Sequence, residues 1–73
     1  DPKVKSSAIY NYGNTMLAQK KYKEAMEAYK KSLLLNPKDE NAKYNYEYAR
    51  KKMIQQQKKQ KQKQKNKDKN KDK

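Results

Sequence analysis

At 73 residues the chain has room for one domain, and so short a chain buries too little surface to close a deep catalytic cavity. It contains no Cys and no His, which excludes disulfides, thiol nucleophiles, thiolate and imidazole metal sites, and the usual general base of a hydrolytic triad. The formal charge of +13 is unevenly spread: residues 1–49 hold nine Lys against six Asp or Glu, whereas residues 50–73 hold twelve Lys or Arg against two Asp. The basicity therefore belongs to a tail. A non-catalytic chain is expected, with no cofactor and no small-molecule substrate.

In chain order, Asp1-Pro2 is a helix start, with a side-chain cap ahead of a Pro at the first helical position. The apolar residues Val4, Ala8, Ile9, Tyr12, Met16 and Leu17 follow at helical spacing and predict a first helix over about 2–20. Lys20-Lys21 interrupts the period. Tyr22, Ala25, Met26, Tyr29, Leu33 and Leu34 resume it as a second helix over 22–35, which Asn36-Pro37 stops because the residue before Pro avoids the α region. Asp39 is placed to cap a third helix, 39–57, carried by Ala42, Tyr46, Ala49 and Met53. Beyond Ile54 no apolar residue remains, so residues 58–73 read as a low-complexity Lys/Gln/Asn tail, disordered and solvated, with the third helix fraying past Gln57. The chain is thus read as all-α: a helical domain at 1–57 followed by a disordered basic tail.

A Gly inside a helix costs about 1 kcal/mol relative to Ala, so Gly13 marks a close approach of two helices, expected against Ala25, with Ser32 a second small surface. Helical spacing assigns Tyr12, Tyr22, Tyr29 and Tyr46 to the core and leaves Tyr10, Tyr44 and Tyr48 off it. One helix pair and a third helix leave apolar surface on helix two, with Met26 and Leu34 expected to be uncovered. A monomer or a weak homo-oligomer follows.

Residues 8–37, AIYNYGNTMLAQKKYKEAMEAYKKSLLLNP, resemble a tetratricopeptide repeat in Gly13, Tyr22, Ala25, Tyr29, Leu33 and Pro37. They depart from the common pattern at Ile9, where a bulky aromatic is usual, at Tyr12 for Leu, at Lys20 for a turn Gly, and at Ser32 for Ala. Residues 39–54, DENAKYNYEYARKKMI, look like the first helix of a next repeat, with Tyr46 where Tyr12 falls and Glu47 where Gly13 falls. No partner helix follows, so this segment resembles the solvating helix that caps such arrays. The resemblance implies a helical hairpin plus a C-terminal capping helix, and a module that binds a partner protein. More specifically, the single repeat, the KYNYEYARKKM cap and the tail resemble the repeat proteins of bacterial aerotolerance (Bat) operons. That likeness implies a cell-envelope or periplasmic setting, beside von Willebrand factor A-type proteins.

In proteins of this family, ligand peptides lie along the face lined by the first helix of each repeat. Carried onto this sequence, that peptide-binding groove comprises Tyr10, Asn11, Asn14 and Leu17, with Ser7, on the first helix, and Tyr44, Asn45, Tyr48, Lys51 and Lys52 on the third. Rigid, amphipathic Tyr side chains suit a surface that anchors a partner, although seven Tyr with no Phe or Trp also fits Tyr as the default aromatic filler. Asn14 matches a polar position of repeats that clamp a carboxylate, but Tyr10 stands where those carry a basic residue. Lys51 and Lys52 suit an acidic partner peptide, set against plain solvation of a basic helix.

For the tail, solubilisation competes with contact to an acidic membrane or envelope polymer and with nucleic-acid binding. No aromatic is interleaved with its basic residues, as single-strand stacking would require. The sequence holds no apolar run long enough to span a membrane and no signal peptide, and it opens on Asp1 rather than Met, as expected of a piece cut from a longer chain.

Overall fold

The computed structural model describes the backbone of residues 1–71 and the side chains of residues 1–61. Three helices form, α1 (Pro2–Ala18), α2 (Tyr22–Leu35) and α3 (Glu40–Lys71), and no strand occurs among the described residues. α2 lies in the middle and packs against both neighbours.

The helix ends follow from local chemistry. The Asp1 carboxylate accepts the Lys3 N–H at 3.0 Å, and the Asp39 carboxylate accepts the Ala42 N–H at 3.2 Å, which satisfies a free donor at the start of α1 and of α3. α2 starts on Lys21 with no side-chain cap. Asn36 takes the extended backbone that a following Pro demands, with φ −143°.

α1 stops at Ala18, two residues before the expected end, and the reason is the turn it makes. The Lys20 N–H bonds the Leu17 carbonyl and the Lys21 N–H bonds the Met16 carbonyl, a closure that puts Lys20 in the left-handed region at φ 62°. This is the position where the repeat pattern usually has Gly, and a side chain there costs about 1–2 kcal/mol. Lys20→Gly should therefore raise the stability of the domain by about 0.5–1 kcal/mol once the looser unfolded chain is set against the relieved strain, readable as a higher denaturation midpoint. An unchanged or lower midpoint would show that the turn is not strained.

The core is built from small residues around one ring. Ala25, Tyr29 and Ala49 are fully buried, with Tyr10, Met16, Leu17, Met26 and Tyr46 packed against them. Met26, expected to be left uncovered, is thus partly buried against the core, whereas Leu34 is exposed at 75%. Ser6 of α1 and Ser32 of α2 are both buried and bond reciprocally: the Ser32 hydroxyl donates to the Ser6 carbonyl at 2.9 Å, and the Ser6 hydroxyl donates to the Ser32 carbonyl at 3.2 Å. Each buried polar group is satisfied, so two small residues can hold α1 close to α2.

The close approach at Gly13 is made to a different residue from the one expected. A Cβ added to Gly13 would lie 2.7 Å from Cε1 and 2.9 Å from Cδ1 of Tyr29, so the gap left by the Gly is filled by that ring rather than by Ala25. Of the four Tyr assigned to the core, Tyr29 is buried and Tyr22 and Tyr46 are half-buried, but Tyr12 is 55% exposed. Tyr12 points to the flank of α1 and α2 that α3 does not cover. A lone helix pair has no neighbour on that side, and correct helical periodicity cannot bury a residue where the partner is missing.

α3 runs past Gln57 to Lys71. Gln and Lys are good helix formers and the segment has neither Gly nor Pro, so its own backbone bonds suffice to draw a helix without a packed face. From Gln55 to Lys61 every side chain is exposed, and Asp72 and Lys73 lie outside the described residues. Backbone amide order parameters should stay at about 0.85 through Ile54 and fall along Gln55 to Lys61, where no apolar contact offsets the cost of order. Uniformly high values through Lys61 would contradict the expectation of a frayed, solvated extension.

Candidate functional site

Three of the residues assigned to the groove are brought together by hydrogen bonds across the helices. The Tyr29 hydroxyl donates to Asn14 Oδ1 at 2.5 Å, and Asn45 Nδ2 donates to the same oxygen at 3.2 Å and to the Tyr10 hydroxyl at 3.0 Å. The Tyr10 and Tyr29 rings meet at 5.7 Å between centroids, tilted by 48°. Four side chains from three helices thus form one node. Burial raises the pKa of the Tyr29 phenol above its ordinary 10.0, with Tyr10 adding to the effect and the Asn45 amide opposing it, so the phenol stays protonated and serves as a donor.

The node dictates what is left for a ligand. Asn14 Oδ1 accepts two bonds and is saturated, and both hydrogens of Asn45 Nδ2 are engaged. The groups still available are the Asn14 amide hydrogens, the Asn45 carbonyl oxygen and the Tyr10 hydroxyl hydrogen. Tyr10, expected off the core, is half-buried against it, because its ring lies on Tyr29.

The other groove residues divide into two groups. Leu17 packs against the core, whereas Ser7, Asn11 and Lys51 are exposed, and the Asn11 carbonyl accepts the Thr15 hydroxyl at 3.1 Å. Tyr44 and Tyr48 are exposed at 73% and 43%, as expected for residues off the core stripe. Asn45, Tyr48 and Lys52 share a face of α3 by their spacing, and the Lys52 ammonium sits over the Tyr48 ring at 5.6 Å from its centroid.

Two further hollows went unforeseen in the sequence. One, of about 460 Å³, lies on the uncovered flank and is lined by Ala8, Ile9, Tyr12 and Ala28 with Glu24, Glu27 and Lys31 at its edge. The other, of about 240 Å³, lies where the α1–α2 turn meets α3 and is lined by Lys20, Tyr22, Lys52, Gln55, Gln56 and Lys59. Both join residues far apart in sequence, which no local pattern announces. Among the described residues no group of three or more His, Cys, Asp or Glu is placed to hold a metal ion, and no helix is long and apolar enough to cross a membrane.

Compared with known proteins, residues 6–39 match the family model of the tetratricopeptide repeat. The match spans α1 from Ser6 onward, α2 and the Asn36-Pro37 turn, and it carries nothing that links the chain to aerotolerance operons. No curated protein and no solved structure is significantly similar to the chain. Repeats of this family typically mediate protein–protein interaction and are typically non-catalytic. The paired helices that close on Gly13 and Tyr29 lie within the matched residues 6–39, so this helical hairpin is similar to one tetratricopeptide repeat.

Proposed function

We propose that the chain is a scaffold module that binds an extended or helical peptide of a partner protein along the face formed by Tyr10, Asn14, Asn45, Tyr44 and Tyr48. The observation that carries this reading is the hydrogen-bond node: it holds Asn14 and Asn45 and leaves unused amide donors and a carbonyl acceptor, the pair of functions a peptide backbone needs. Beside them, Tyr44 and Tyr48 offer exposed ring surface of low rotamer entropy. Lys51 and Lys52 give the face a preference for acidic sequences. With no deep pocket on this face, affinity should be about micromolar.

The node also decides which substitutions are clean. Tyr10 packs on the core, so Tyr10→Ala would disturb the fold as well as the face, whereas Tyr44 and Tyr48 are exposed and removable. Peptides from envelope proteins are the first to test, on the strength of the resemblance to the aerotolerance-operon repeat proteins, followed by a random peptide library. Chemical shifts of the labelled chain should move at Tyr44, Asn45, Tyr48 and Asn14 on titration. The competing reading, an anionic-surface or nucleic-acid binder, is favoured by the net +10 of residues 50–73, with twelve basic residues against two acidic. It predicts shifts confined to the residues after Arg50 instead.

A further inference from the structure

The cleft at the α1–α2 turn is lined by three lysines from separate parts of the chain: Lys20 from the turn, and Lys52 and Lys59 from α3. Its other lining residues are Tyr22, Gln55 and Gln56, which supply a hydroxyl and two amides, and no carboxylate lines it. Among the described residues the ion pairs are Lys43–Glu40 and Arg50–Glu47, and neither includes a lysine of the cleft. Three like charges around a concave space of about 240 Å³ repel one another, so a compact anion there relieves repulsion that folding itself leaves in place.

The residue types select among anions. A planar monoanionic carboxylate is best matched by the rigid fork of Arg, and the cleft has none. Mobile lysines act as point charges that can surround a tetrahedral group of charge near −2, and neutral hydroxyl and amide donors can serve its remaining oxygens. Lys52 is half-buried, with its ammonium 5.6 Å from the centroid of the Tyr48 ring, so one of the three cations is restrained rather than free in solvent.

We infer that this cleft is a binding site for a phosphomonoester dianion, held by Lys20, Lys52 and Lys59 with Tyr22, Gln55 and Gln56 as neutral donors. The site is separate from the Tyr/Asn node and shares only Lys52 with the proposed peptide face, so it stands or falls independently of that face. Its source is either a free phosphate compound or a phosphorylated side chain of a partner.

The test is a chemical-shift titration of the full labelled chain at pH 7.5 with inorganic phosphate, with acetate as a monoanionic control, and with a neutral peptide carrying one phosphoserine. Exposed lysine contacts are individually weak, so a Kd of about a millimolar is expected for phosphate, with saturable shifts at Lys20, Tyr22, Lys52, Gln55, Gln56 and Lys59. Acetate should bind several-fold more weakly. A Lys20→Gln/Lys59→Gln variant, which leaves the peptide face intact, should weaken phosphate about fivefold while its far-ultraviolet spectrum stays that of the parent. A phosphoserine peptide binding tighter than phosphate identifies a phosphorylated partner, and equal affinities identify the free anion; either supports the site. Shifts spread evenly over every lysine, equal response to acetate, or phosphate binding unchanged in the double variant would overturn it.

Discussion

Replacing Tyr29 with Ala should abolish cooperative folding. Among the described residues Tyr29 is the one large side chain that is fully buried, it fills the space opened by Gly13, and its hydroxyl anchors the node that joins the three helices. Truncating a buried aromatic costs about 3–5 kcal/mol, and a core of this size supplies about that much in total. The expected result is a broad, non-cooperative melt by circular dichroism. Tyr29→Phe separates the ring from its hydroxyl: Asn14 Oδ1 would still accept from Asn45, so the loss should be about 1 kcal/mol, or about 4–8 °C in Tm. If the Ala variant melts cooperatively within a few degrees of the parent, Tyr29 is not the centre of the core.

Gly13→Leu should be nearly as damaging, and for a reason that Gly13→Ala isolates. An added Cβ meets Tyr29 ring carbons at 2.7 and 2.9 Å, and the ring cannot retreat freely because Tyr10 and Asn14 hold it. For Ala, the overpacking cost of about 1–3 kcal/mol is partly offset by about 1 kcal/mol of helix propensity, leaving a modest net loss. Leu adds three more carbons to the same space and should displace the ring. The two sites should also be strongly non-additive: Gly13→Ala placed on Tyr29→Leu should cost less than on the parent, because the obstructing ring is gone. Additive losses in that cycle would mean that Gly13 matters for backbone conformation and not for packing against Tyr29.

The helices were legible because their signals are local. Asp1-Pro2, Asn36-Pro37 and Asp39 act within a few residues of themselves, and the apolar period of α2 predicts its bounds as found. Lys20 shows a local signal read only in part. Its place at a usual Gly position was visible, but that the turn would still take the left-handed conformation, at φ 62°, depends on the closing bonds to Met16 and Leu17.

What was not legible depends on which helix faces meet. Gly13 and Tyr29 are sixteen residues apart, and spacing puts Tyr29 and Ala25 on one helix without saying which of them comes nearest to Gly13. Tyr12 has core spacing but lies on a flank with no neighbour, so periodicity placed it correctly on its helix and wrongly in the molecule. The Ser6–Ser32 pair and the Asn14–Asn45 node are polar, and polar residues at helical spacing read as solvated until the interhelical distance is known. The same holds for the lysine cleft, whose members come from a turn and from two turns of α3.

We propose that the Tyr/Asn face, and not the basic tail, holds the partner. Isothermal titration of one selected peptide into three proteins tests it most directly: the parent, a Tyr44→Ala/Tyr48→Ala variant, and a chain ending at Gln57. Loss of two exposed aromatic anchors should weaken binding by about 10- to 100-fold, whereas removing residues 58–73 should change it by no more than a few-fold, with little dependence on salt. Binding that survives the double Tyr variant but disappears with the tail, and that falls steeply as salt is raised, would contradict the account and assign recognition to the lysines of the C-terminal segment.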